Sequence, residues 1–187
     1  KSFYADRFED VVGTDSITSQ QLLFALAQFQ SSMISNQSKW DDYVEGTVAF
    51  SASEARGWSI FQSKCQSCHT PPLFTDFSFA NTGLDSISED YGRGRITLDP
   101  GDRGKFKVPT LRNIALTHPY MHDGRFATIE DVLNFYAHGV HETENLDPRM
   151  SGAQNLSQQD QLDLISFLGT LTDSSFIDDP KWSDPFE

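Results

Sequence analysis

The stretch Cys65-Gln66-Ser67-Cys68-His69-Thr70-Pro71-Pro72-Leu73-Phe74-Thr75-Asp76 decides how the rest of the chain is read. Its first five residues have the spacing C-x-x-C-H, the attachment signature of a c-type haem. The spacing has a mechanical reason. Two thioethers to the haem vinyl groups fix the porphyrin edge, and the next residue then sits under the iron. His69 would supply its imidazole there as the proximal ligand. Three readings compete. A Cys65–Cys68 redox disulfide wants a thioredoxin-like βαβ context, which the sequence lacks. A cysteine-based zinc site wants two more ligands at matching spacing, and there is no second Cys pair. A chance pentapeptide is the third, but the motif uses both cysteines of the chain. Haem attached in this way is assembled outside the cytoplasm, so the motif implies a periplasmic or otherwise extracytoplasmic location.

Composition bounds the rest. The chain has 187 residues, a length suited to one domain or one domain plus an extension. It carries 27 acidic and 14 basic side chains, a net charge of −13. That balance argues against nucleic acid, which needs clustered Lys and Arg, and against an anionic membrane surface. No apolar run approaches the ~20 residues of a membrane span. Fifteen Phe in a chain only 37% apolar point to an aromatic core, sparse in aliphatics. The sequence opens Lys1-Ser2-Phe3-Tyr4 with neither Met nor a signal peptide, as expected of a processed product or a piece of a longer protein.

Four segments read as helices. The first runs from Thr18, with Gln21 completing a capping box, to about Met33, and Leu22, Leu26, Phe29 and Met33 form its stripe. The second runs from about Ala52 to Lys64 behind a Ser51/Glu54 box, with Ala55, Trp58 and Phe61 or Ile60 facing inward. The third starts at Thr128, with Asp131 at the box position, and stops at Gly139. The fourth starts at Ser157, capped with Asp160, and carries Leu162, Ile165, Leu168 and Leu171. Between Pro71 and Pro109 the pattern is irregular and rich in Gly and Pro. Phe74, Phe77, Phe79 and Phe106 suggest that this loop folds against something apolar, for which a haem face would serve. The fold class is all-α, a cytochrome c-like haem domain with long wrapping loops. Residues 1–50 read as a helical leader or interdomain segment, 51–175 as the haem domain and 176–187 as an acidic, extended tail.

An iron held by His69 has one further axial position. Met33, Met121, Met150, Tyr136, another His or nothing could fill it. Methionine would raise the potential and suit electron transfer. A tyrosine oxygen would favour ferric and higher states. Met121 lies in a turn-like segment, whereas Tyr136 shares a helix face with Ile129, Val132 and Leu133. By pattern alone both read first as packing residues.

Two further stretches carry a resemblance. Lys107-Val108-Pro109-Thr110-Leu111-Arg112-Asn113-Ile114-Ala115-Leu116-Thr117, followed by Pro119-Tyr120-Met121-His122-Asp123-Gly124-Arg125-Phe126-Ala127-Thr128, resembles the bacterial di-haem cytochrome c peroxidase and MauG family. So do Cys65–Asp76 and the closing helix. Members carry two haem domains, and this chain resembles the C-terminal one. The resemblance implies a distal ligand at Tyr136, where the peroxidase branch has Met and the MauG branch has Tyr, with Met121 the alternative. It implies that His122 sits near the haem propionates. It also implies that the backbone carbonyls of Thr117 and Pro119 help to hold a calcium ion, as hard oxygens suit. Arg112 could pair with a propionate or form a structural salt bridge. The family's peroxide-binding haem and its distal acid belong to the N-terminal part, so no catalytic residue is assigned here. The implied partners are that N-terminal haem domain, hydrogen peroxide at its haem and a redox protein. A stand-alone monohaem electron carrier is the alternative, favoured by the single C-x-x-C-H.

Overall fold

The computed structural model describes residues 3–14, 16–150 and 155–184. It divides into two compact units, residues 1–36 and 37–187. The first holds α1 (Phe3–Val12) and α2 (Ser19–Ser32). The expected capping box of Thr18 and Gln21 starts α2. Its stripe of Leu22, Leu26, Phe29 and Met33 is left 37% to 50% exposed.

The second unit begins with α3 (Lys39–Glu45), inside the stretch 1–50 expected to be a leader or interdomain segment. Trp40 of α3 is buried with its ring edge on Phe74, 4.8 Å between centroids. That contact ties α3 to the core of the second unit. Ser38 and Asp41 cap it reciprocally. Next come α4 (Ala52–Lys64), the strand β1 (Phe79–Ala80), α5 (Gly94–Thr97) and β2 (Phe106–Lys107). β1 and β2 pair antiparallel, Phe79 with Lys107 and Ala80 with Phe106. Then follow α6 (Ile129–Asn134), α7 (Gln158–Gly169) and α8 (Ser174–Ile177). Among the described residues the fold is all-α around this small ribbon, as expected.

The core is the crossing of α4 and α7. Phe61, Phe74, Phe167, Leu164 and Leu171 are at most 1% exposed. Each such side chain contributes about 1.5–3 kcal/mol. The rings of Phe61 and Phe167 lie 5.0 Å apart and those of Trp58 and Phe167 5.1 Å. The expected faces hold at Trp58, Phe61, Ile165, Leu168 and Leu171 and fail at Ala55 and Leu162. On α4, Gly57 and Phe61 are buried and Ala55 is exposed. On α7, Leu164, Phe167 and Leu168 face inward with Leu171 just beyond, while Leu162 is 53% exposed. The aromatic Phe167 wins the interior because it completes the ring cluster.

Two further expectations change. The helix expected over 128–139 is α-helical only to Asn134 and continues as a π-turn over Phe135–Gly139. The tail is not an extended strap where it is described. It holds α8 and a 3-10 turn at Pro180–Trp182, with Phe176 against Trp182. Residues 185–187 lie outside the described residues.

Candidate haem site

The motif continues the end of α4. Cys65 N–H donates to the Phe61 carbonyl at 2.8 Å and His69 N–H to the Cys65 carbonyl at 2.9 Å. This helical turn sets Cys65 and Cys68 one turn apart, with His69 next. All three line a cavity of about 420 Å³, a size typical of ligand and cofactor sites. Both thiols are free, and burial, with the neighbouring Cys68, pushes the Cys65 thiol up to about 12. A poised thiolate for redox exchange would need the opposite shift.

His69 is held from behind. Its Nδ1 lies 3.1 Å from the Phe74 carbonyl oxygen and 3.2 Å from that of Pro109. Carbonyls only accept, so Nδ1 carries the proton and Nε2 is left as the donor atom. Burial also lowers the pKa of the ring, against these two bonds, and so favours neutral imidazole. Phe74 adopts a left-handed backbone, φ +53°. That conformation costs about 1–3 kcal/mol, and complete burial of the ring offsets it.

Tyr136 sits on the π-turn and lines the same cavity with Ile129, Val132 and Leu133. Single π-turns inside helices recur at functional positions. Burial pushes the Tyr136 phenol well above its ordinary value, and the two cysteines add to this. The group therefore keeps its proton until a cation faces its oxygen. Met121 and Met150 line the cavity too, Met121 from a turn at φ +70°. Met33 belongs to the first unit, at the end of α2. Thr117, Pro119 and His122 also reach the cavity, and His122 stacks on Phe106 at 3.6 Å between centroids.

Arg112 does not line the cavity. Its guanidinium forms a fork with Asp41, at 2.8 and 2.9 Å, and its Nε donates to the Pro72 carbonyl at 2.9 Å. Of the two roles expected for it, this geometry is that of the structural salt bridge. Burial would raise the Asp41 carboxyl, but hydrogen bonds from Arg112 and Ser38 outweigh it and hold the carboxyl down. The Phe-rich loop divides likewise. Phe106 faces the cavity and Phe74 the core, but Phe77 and Phe79 are 57% and 36% exposed under Lys107 and Arg93.

Sequence reasoning missed Arg149. It lines the cavity, pairs with Asp147 and Asp76, and donates to the carbonyl of Ser67 between the two cysteines. Its partners lie up to 82 positions away, and no periodicity marks such pairs. Lys64 and Lys107 are further cations on the wall.

The site can be set beside known proteins. The family profile described as di-haem cytochrome c peroxidase matches residues 1–49. The chain is 34% identical to cytochrome c551 peroxidase of Nitrosomonas europaea, over 90% of this chain and 49% of that protein. It is 36% identical to methylamine utilization protein MauG of Methylophilus methylotrophus, over 90% of this chain and 51% of that one. Among solved structures, a MauG-like protein associated with microbial copper homeostasis superposes with a TM-score of 0.89. It is 31% identical, with 100% of this chain and 63% of that one covered. The chain belongs to the di-haem cytochrome c peroxidase and MauG family. It spans about half the length of the curated relatives it matches.

The family implies covalent haem c, and the residues fit it. Two free thiols one helical turn apart, an imidazole with Nε2 unprotonated and largely apolar walls are the donor set and enclosure it needs. Among the described residues no cluster of three His, Cys, Asp or Glu forms a separate metal site, and no helix is long and apolar enough to cross a membrane.

Proposed function

We propose that this chain is the C-terminal haem domain of a di-haem, MauG-like peroxidase. The observation that carries the reading is the gathering of Cys65, Cys68, His69 and Tyr136 on one cavity. The family match at 1–49 supports it, because that segment lies upstream of the haem motif. The half-length coverage of the relatives leaves room for a second haem domain.

Bound here, a covalent haem supplies one-electron redox chemistry. The chain's own residues set its surroundings. Cys65 and Cys68 tether the group, and His69 presents Nε2 while Nδ1 is committed to two carbonyls. Tyr136, on the π-turn, would offer its phenol oxygen to the bound group from the cavity wall. The apolar walls from α6 and α7 exclude water. His122 would stand near the propionates of that group, and the Thr117 and Pro119 carbonyls would contribute hard oxygens to a calcium site shared with the upstream domain. Hydrogen peroxide reacts in that N-terminal haem domain, and the domain described here relays electrons to it or shares oxidising equivalents with it. A redox protein exchanges electrons with the pair in the periplasm. A stand-alone monohaem electron carrier is the second reading, favoured by the single haem motif.

Ferric EPR of the assembled cytochrome tests the ligand set. Tyr136→Phe is expected to change the axial signal with the covalent haem retained, and Met121→Leu to leave it unchanged. The reverse pattern would replace tyrosine ligation with methionine and favour the carrier. A second C-x-x-C-H upstream of Lys1 in the gene is expected, and its absence would sink the two-domain reading.

A further inference from the structure

We propose that Arg112 and Thr110 are positioning residues for the proximal imidazole, acting through the two chain segments whose carbonyls accept its Nδ1–H. The inference rests on the reading of His69 as an iron ligand. The carbonyls of Pro72, Leu73 and Phe74 are consecutive, and each accepts from a different group. Pro72 accepts from Arg112 Nε at 2.9 Å, Leu73 from Thr110 Oγ1 at 2.6 Å and Phe74 from His69 Nδ1. The second acceptor of Nδ1 is Pro109, the residue before Thr110. Arg112 N–H in turn donates to Thr110 Oγ1 at 3.2 Å. The two chain segments that grip the imidazole are thus stitched to each other by Thr110 and Arg112.

Arg112 is itself anchored. Its fork on Asp41 is 8% exposed on the arginine side and 14% on the aspartate side, and Asp41 accepts from Ser38 N–H and Oγ at the start of α3. The guanidinium carbon lies 5.5 Å from the Trp40 ring centre and 5.9 Å from that of Phe74. α3 therefore fixes the arginine, the arginine fixes the 72–74 turn, and the turn fixes the acceptor of Nδ1–H. A lysine can make one strong contact here but cannot present the fork and Nε together.

A firm Nδ1–H···O=C bond makes the imidazole a stronger donor through Nε2 and orients its ring. Loosening the turn weakens that bond, so the haem potential should rise. The test uses the assembled cytochrome and measures the midpoint potential of this haem and its ferric EPR signal. Arg112→Lys and Thr110→Val are expected to raise the potential and shift the signal, with Thr110→Ser close to wild type because it keeps the hydroxyl. Arg56→Gln, which breaks the Arg56–Asp163 pair between α4 and α7, is the control. It is expected to lower Tm without moving the potential. Wild-type potentials in both Arg112→Lys and Thr110→Val would overturn the proposal, as would a shift in Arg56→Gln matching theirs. Thr110→Val removes one hydroxyl and keeps the volume, so it stays informative if Arg112→Lys fails to assemble. His69→Ala separates the two claims. An unchanged spectrum in that variant would remove the ligand itself, whereas an altered one beside unmoved potentials would remove only the positioning.

Discussion

Arg149 reaches back to the Ser67 carbonyl, 3.2 Å away, and so pins the peptide between the two cysteines to a loop 82 positions later in the chain. The same guanidinium donates to Asp147 and, at 2.6 Å, to Asp76. It is a clamp on the Cys65–Cys68 turn rather than a free cation in the cavity.

Arg149→Gln should therefore destabilise the assembled protein by about 2 kcal/mol, the scale of lost hydrogen bonds to charged groups. Chemical denaturation of the holoprotein checks this. A loss within ±0.5 kcal/mol would mean that the clamp is only a solvated surface cluster.

The acid limb of stability should follow the aspartates. Burial would raise Asp76, but Ser78 and Arg149 outweigh it and hold the carboxyl near 2. The Arg56 guanidinium and the Ser53 hydroxyl hold Asp163 at about 2 as well. Both lie below the ordinary 3.8, so each stays ionised in the folded protein where the unfolded chain takes up a proton. Their stabilisation is full above about pH 5 and is lost as the pH falls through 3.8 towards 2. Tm is expected to drop over that window, and Arg149→Gln should make the drop shallower by removing the Asp76 share. A Tm independent of pH between 5 and 2 would contradict this.

Gly57 marks the closest approach of α4 to α7. A Cβ there would overlap the Asp163 carbonyl and stand 2.8 Å from Phe167 Cβ. Gly57→Ala should cost about 1–3 kcal/mol as the helices are forced apart. Calorimetry measures it, and a neutral or raised Tm would show that the crossing yields freely.

The local chemistry of this fold was largely legible in the sequence. Thr18 with Gln21, Ser51 with Glu54, Thr128 with Asp131 and Ser157 with Asp160 each cap the helix expected of them. Ser38 and Asp41 carry the same signature, so α3 was readable too. The gathering of Cys65, Cys68 and His69 follows from one helical turn. What escaped was contact over distance. Arg112 with Asp41 and Arg149 with Asp76 join positions 71 and 73 apart, and charge pairs of that separation leave no period. The π-turn at Tyr136 escaped because a slip in backbone hydrogen bonding is not written in hydrophobic spacing. The inward face of α7 was misjudged at Leu162 because several apolar registers coexist there.

The double grip on His69 Nδ1 also decides which part of the neighbouring loop is free to vary. Thr75 Oγ1 on Val108, and Thr110 Oγ1 on Leu73, close the neck of the excursion between them. Once that neck is tied, the stretch from Ser86 to Asp102, which does not line the cavity, can lengthen, shorten or change its surface without shifting the His69 imidazole. Its Ile87, Ile96 and Leu98 are 75% to 84% exposed, so the freedom falls on the surface. Surface changes there leave the cavity wall and the His69 imidazole in place.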